Sequence, residues 1–158
     1  MTTRDIAGSA FALAGPIEAV RDDHGAPILD EPQHRFTNPR GLSLNRYGAG
    51  PFARLQIPTL PARPGVYAVF DHLDSLLYIG RARDSLARRW GRAGYAVIDP
   101  RNCFAGGQST NCRLNSLITQ ALIRGDIPTL WVHVIEEPTP LEAALITGLR
   151  PPWNLRSA

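Results

Sequence analysis

Residues 64–80 constrain this chain more than any other stretch. They read Pro-Gly-Val-Tyr-Ala-Val-Phe-Asp-His-Leu-Asp-Ser-Leu-Leu-Tyr-Ile-Gly. Two short apolar runs flank a polar turn from Asp71 to Ser75, the pattern of a β-hairpin. Strand side chains alternate faces, so Val66, Ala68 and Phe70 share one face and Tyr67 and Val69 the other. A turn that pairs Asp71 with Asp74 sets Tyr67 opposite Tyr78, with both phenols on one face. Gly80 ends the return strand, and a run of arginines starts at once.

The position of those arginines is informative. All 17 basic residues are arginine. A codon bias explains the choice of arginine over lysine, but not its placement. Residues 1–60 carry six arginines against six acids, whereas residues 81–113 carry seven against Asp84 and Asp99 alone. Such an excess attracts polyanions, nucleic acid among them. A solvated helix face is the competing reading. Hydrophobic residues make up 44% of the chain, enough for a buried core and too many for a disordered type. No apolar run approaches bilayer-spanning length. No basic segment precedes an apolar block at the N-terminus, so no secretory leader is expected. Two cysteines, Cys103 and Cys112, suit reduced thiols in a cytoplasm.

Periodicity orders the rest. Residues 1–60 are expected to form an N-terminal arm, irregular apart from a hairpin around the turn-like Arg-Asp-Asp-His-Gly. Phe52 to Ile57 suggests a short edge strand. Residues 61–158 are expected to form the main domain. After Gly80, Asp84 or Ser85 caps a helix with a buried stripe of Leu86, Trp90 and Ala93, and Arg88, Arg89 and Arg92 fall off that stripe. A second helix runs from Ser109 or Thr110 to Arg124, with Leu114, Leu117, Ile118, Ala121 and Leu122 at helical spacing and Gly125 as terminator. Thr129 to Ile135 reads as a third strand. A last helix opens with Thr139 as cap, Pro140 at the first position and Glu142 closing a capping box. The predicted class is α+β: a small, mostly antiparallel three-stranded sheet flanked by helices.

Gly65-Val66-Tyr67, ten residues, then Tyr78-Ile79-Gly80 resembles the signature of the GIY-YIG nuclease family. Leu86-Ala-Arg-Arg89-Trp resembles the family's arginine-bearing helix, with Arg89 at the essential position. Glu142-Ala-Ala-Leu145-Ile146 followed by Pro151-Pro152-Trp153-Asn154 resembles its late glutamate and asparagine, twelve residues apart as in the nicking subunit of bacterial excision repair. Arg81 stands where many members carry lysine. Residues 95–125 match the repair nuclease poorly, and residues 1–60 have no counterpart in the minimal family domain.

The resemblance implies a DNA endonuclease that uses Mg²⁺ or Mn²⁺ and leaves a 5′-phosphate and a 3′-hydroxyl. Hydrolysis of a phosphodiester needs an activated water, neutralised phosphoryl oxygens and a stabilised leaving oxygen. Glu142 is then the metal ligand, a hard oxygen suited to Mg²⁺. Arg89 forks onto the scissile phosphate. Tyr67 is the general base and Tyr78 orients water or phosphate. Arg81 holds the phosphate backbone, Asn154 braces the site, and Gly65 and Gly80 shape it. Arg83, Arg88 and Arg92 are candidates for nucleic-acid contact. The length and the arm favour a restriction-like or mobile-element enzyme over a repair subunit, and a cutter of both strands is expected to form a homodimer.

Each residue also has a plainer role. Tyr67 can simply pack, Glu142 can cap its own helix, Arg89 can be solvated, and Asn154 can belong to a turn. A non-catalytic nucleic-acid-binding module on the same fold is the leading alternative, and a protein-interaction domain is a third. Cys103, Cys112 and His133 have no usual zinc spacing, and Gly106-Gly107 lacks the lysine of a phosphate-binding loop.

Overall fold

A computed structural model describes residues 1–155. The strands are β1 (Thr3–Ile6), β2 (Ser9–Pro16), β3 (Glu18–Ala19), β4 (Leu29–Asp30), β5 (Phe52–Ala53), β6 (Leu55–Gln56), β7 (Gly65–Phe70), β8 (Leu76–Ala82) and β9 (Thr129–Val134). The helices are α1 (Leu86–Arg89), α2 (Ser109–Ile123) and α3 (Pro138–Leu149). The chain divides into two compact units. One holds residues 1–17, 58–89 and 127–155; the other holds residues 18–57 and 90–126.

The first unit is built on an antiparallel sheet of order β1-β2-β9-β7-β8. β7 lies between β9 and β8 and is buried along its whole length. That is why Gly65–Phe70 reads as a nearly unbroken apolar run. Val66, Ala68, Phe70 and Ile79 join Phe11, Trp131 and Leu145 in one core cluster. α3 packs on β7 and β8 and brings Leu145 into that core. Full burial of a side chain such as Ile79 stabilises the fold by about 1.5–3 kcal/mol.

The α+β class holds, but the sheet has five strands rather than three. Residues 1–17 are no irregular arm: they supply β1 and β2, so a boundary at residue 60 does not coincide with the division of the chain. The hidden signal is the turn. Ile6 pairs with Ser9 across a two-residue loop, in which Ala7 (φ 48°) and Gly8 (φ 93°) both have positive φ. Such hairpin loops usually announce themselves with Asn-Gly or Asp-Gly, and alanine there gives no warning.

The second unit contains α2, the short pairs β3–β6 and β4–β5, and 3-10 turns at Pro32–Arg35 and Pro100–Cys103. α2 buries Leu114, Ile118, Ala121 and Leu122, and the chain turns out of it at Gly125 (φ 87°). Phe52, Ile98, Cys103, Phe104 and Cys112 form a core cluster. The Arg-Asp-Asp-His-Gly segment does close a small hairpin, with Asp22 N–H donating to Ala26 O and an Arg21–Pro27 bridge. One buried polar residue ties this unit together. The Asn115 amide donates to Ala53 O (2.9 Å) and Tyr95 O (2.8 Å), and its oxygen accepts from Ala53 N–H (3.3 Å) and Thr119 Oγ1 (3.1 Å). Every hydrogen-bonding position of that side chain is thereby occupied or shared, as burial demands.

Candidate active site

The hairpin β7–β8 sets the two tyrosines. Tyr67 pairs with Gly80 and Val69 with Tyr78, so Tyr67 lies diagonal to Tyr78 and not opposite it. The turn is longer than expected: Asp71 N–H donates to Ser75 O, and the register shifts between Val69 and Phe70. A displacement of two residues keeps both rings on one face. Their centroids lie 6.2 Å apart with planes inclined by 26°.

Gly80 makes this arrangement possible. A Cβ on Gly80 would stand 2.5 Å from the Cε2, Cζ and hydroxyl oxygen of Tyr67. The Tyr67 phenol therefore lies over the edge strand β8, where a side chain would displace it. Gly65 is needed for a similar reason, since its Cβ would meet His133 O at 2.5 Å and Leu86 Cδ1 at 2.8 Å. Tyr67 and Tyr78 are both buried, at 1% and 8% exposure. The hydroxyl of Tyr67 is placed by its position over Gly80, not by exposure of the ring.

Glu142 decides how α3 is to be read. The helix starts at Pro138, with Glu137 at its N-cap and no side-chain cap bond. The predicted capping box of Thr139 and Glu142 does not form. Instead the Glu142 carboxylate reaches β8 and accepts from Arg81 Nη1 at 2.7 Å. Arg81 follows Gly80, so strand alternation turns it to the face that carries Ile79 and α3. The phenol pair and the Arg81–Glu142 pair thus flank the same edge strand from its two faces. Burial raises the Glu142 pKa, and Arg81, Arg83 and Arg89 offset that rise only in part. The residue is a half-buried carboxylate with three guanidinium groups within electrostatic reach, in a site where ionisation is harder than in water.

Arg89 ends α1, which is a single turn. Ser85 Oγ accepts from Arg88 N–H at 3.1 Å, so Ser85 does the capping. The predicted stripe through Trp90 and Ala93 is not helical, because the helix stops at Arg89 and Ala93 has φ 64°. Leu86 N–H and Ala87 N–H donate to Arg63 O and Pro61 O, tying the turn to the segment that leads into β7. Asn154 docks on the outer edge of β8: its oxygen accepts from Ile79 N–H (2.9 Å) and its amide donates to Ile79 O (2.8 Å). Trp153 N–H donates to Leu77 O beside it. Arg83 and Arg88 are exposed residues of the first unit, whereas Arg92 is an exposed residue of the second. Cys103 and Cys112 are buried in the second unit, and His133 lies on β9 of the first, its Nδ1 2.7 Å from Ala10 O.

Comparison with known proteins places this geometry. No family model matches the chain. It is 32% identical over 99 residues to the UvrABC system protein C of Zymomonas mobilis, and 32% identical over 100 residues to that of Nautilia profundicola. Each match covers 63% of this chain but only 13% and 15% of the relatives. A solved structure of a bacteriophage T4 EndoII mutant matches with a TM-score of 0.53, covering 92% of both chains at 18% identity. The repair-protein likeness, the shared fold and the order of the motifs agree.

These likenesses support placing the chain with the GIY-YIG nucleases in fold and motif order. Its GIY-YIG hairpin is β7–β8, with valine at the second position of the first tripeptide. The motif glycines are the residues whose missing side chains admit Tyr67 over β8, and β9 and Leu86 against β7.

Proposed function

We propose that this protein is a divalent-metal-dependent endonuclease that hydrolyses DNA phosphodiester bonds. The observation that carries the reading is the Glu142 carboxylate. It turns from its own helix terminus to bond Arg81 of β8, the strand that carries Tyr78, with Arg83 and Arg89 in electrostatic reach.

Glu142 would hold Mg²⁺ or Mn²⁺. The donor set fits a hard ion that keeps most of its waters. Among the described residues no cluster of three or more His, Cys, Asp or Glu could enclose one, and Mg²⁺ commonly needs only one or two carboxylates plus phosphate oxygens. When bound, the ion supplies positive charge to the phosphoryl and leaving oxygens. Arg89 pairs with the non-bridging oxygens of the scissile phosphate. Tyr67, as phenolate, takes a proton from the attacking water at its hydroxyl oxygen. A water oxygen–phosphorus bond forms and the phosphorus–3′-oxygen bond breaks, leaving the 5′-phosphate and a 3′-oxyanion that takes a proton from solvent water to become the 3′-hydroxyl. Tyr78 orients the water or the phosphate, and Arg81, Arg83 and Arg88 hold the flanking backbone. Asn154 fixes β8, and with it the spacing of Tyr78, Gly80 and Arg81.

A restriction-like or mobile-element enzyme fits better than a repair subunit. The fold likeness to EndoII extends over 92% of the chain, including the second unit, whereas the repair-protein likeness spans 63%. A double-strand product would call for two copies, one per strand.

One observation favours a second reading, a binding module without catalysis. Arg81 occupies a Glu142 oxygen that a metal would need. Supercoiled plasmid separates the two. The endonuclease converts it to nicked or linear DNA with Mg²⁺, and chelator stops the reaction. Tight, salt-dependent binding with no cutting of any DNA under Mg²⁺ or Mn²⁺ would establish the module instead.

A further inference from the structure

Arg35, Arg54 and Arg92 come from distant parts of the sequence and line one cavity of about 210 Å³ in the second unit. Val97, Ile98, Asp99 and Pro100 complete its wall. A single water needs only about 10–15 Å³ of such space, so the cavity has room for a larger polar group. Like charges converge this way only if something holds them, and Asp30 does. Its carboxylate accepts from Arg35 through both oxygens, at 2.8 and 3.3 Å, and its second oxygen lies 3.7 Å from Arg54 Nε. The hydrogen bond from Arg35 lowers the Asp30 pKa, so the carboxylate stays ionised near neutral pH. Asp99 is engaged elsewhere, capping the Pro100–Cys103 turn by accepting from Arg101 N–H at 2.9 Å. Arg92 has no carboxylate partner among the described residues, and Arg35 and Arg54 keep 47% and 59% of their side chains exposed. Three arginines therefore line one accessible cavity, with one acid engaged in fixing two of them.

We infer that this cavity is a phosphate-binding site that grips the DNA backbone away from the scissile bond. Guanidinium forks match phosphate oxygens in geometry and charge, and Arg92 supplies the unpaired fork. The identity of the anion as DNA rests on the nuclease reading; the cavity's preference for a phosphate does not. The site gives the second unit a role in holding substrate.

The test uses the full-length protein with a DNA duplex in chelator, so that no cutting is required. Binding is followed by anisotropy over a salt series. Arg54→Ala and Arg92→Ala should each weaken binding about tenfold and lower the salt slope by about one, the signature of a lost phosphate contact. Arg92→Lys should keep the slope and lose part of the affinity. Arg40→Ala, an exposed arginine of the same unit outside the cavity, sets the background. Pocket variants that behave like Arg40→Ala would overturn the proposal. Inorganic phosphate at matched ionic strength forms the second arm. Strong variant-sensitive phosphate binding with an unchanged duplex slope would mean a free-phosphate site and overturn the DNA assignment. A wild type that binds through the cavity yet never cuts would defeat the hydrolase reading and leave this one standing.

Discussion

Two carboxylates of this protein are clasped by arginines, and they titrate in opposite directions. Asp30, in the second unit, is held below its ordinary value of 3.8, chiefly by the hydrogen bond from Arg35. Glu142, in the first, is raised above its ordinary value of 4.5, chiefly by burial, although Arg81 bonds to it and Arg83 and Arg89 lie in reach. The difference lies in the deeper burial of Glu142 and in how each arginine engages its acid. Arg35 donates to both oxygens of Asp30, whereas Arg81 donates to one oxygen of Glu142. A two-pronged bond outweighs the loss of water; a single bond at a half-buried site does not. Asp30 is thereby fixed as a structural counter-ion. Glu142 is left with a charge its surroundings only partly satisfy, and a divalent ion or a substrate-linked rearrangement can supply the rest.

Replacing each acid by its amide should pull the two apart. The largest effect expected is on chemistry: Glu142→Gln should cut Mg²⁺-dependent plasmid cleavage by about 10²–10³-fold while duplex binding in chelator persists. Asp30→Asn should keep most of the cleavage. On stability the ranking reverses. Asp30→Asn should lose up to about 1 kcal/mol at neutral pH in denaturant unfolding, the scale of a solvent-screened ion pair, and Glu142→Gln should not lower stability. Cleavage by Glu142→Gln at the wild-type rate would remove the distinction.

The smallest effect is in the pH dependence, and its sign differs between the two. Asp30 binds its proton less tightly when folded, so its contribution is complete above 3.8 and is lost as pH falls through the depressed native value. Glu142 binds its proton more tightly when folded, so its contribution is present below 4.5 and is lost as pH rises through the raised native value. Wild type minus Asp30→Asn should therefore slope upward with pH across the acid range, and wild type minus Glu142→Gln downward. Parallel slopes would mean that the two environments do not differ as described.

How much of this is legible in the sequence follows from how local each signal is. The β7–β8 hairpin, α2 and β9 carry their own periodicity and turn residues, and they form where the pattern puts them. The β1–β2 hairpin escapes such a reading because Ala7 adopts a positive φ that the sequence does not advertise. Glu142 carries a capping-box pattern with Thr139, and only the packing of α3 on β8 shows which partner it takes. The register of Tyr67 is equally hidden, since it depends on the shift between Val69 and Phe70. Asn154 lies 75 residues from Ile79, and no local pattern links them. The cavity of Arg35, Arg54 and Arg92 is the least legible feature, because three separate segments must fold before its charges meet.

The most direct measurement is a carboxyl ¹³C titration of Asp30 and Glu142 in one sample, with and without Mg²⁺. Without the ion, Asp30 should titrate below 3.8 and Glu142 above 4.5; Mg²⁺ should pull Glu142 downward and leave Asp30 where it was. A Glu142 that titrates at or below its ordinary value, or that ignores Mg²⁺ at concentrations that support cleavage, would contradict the metal-binding role on which the proposed chemistry depends.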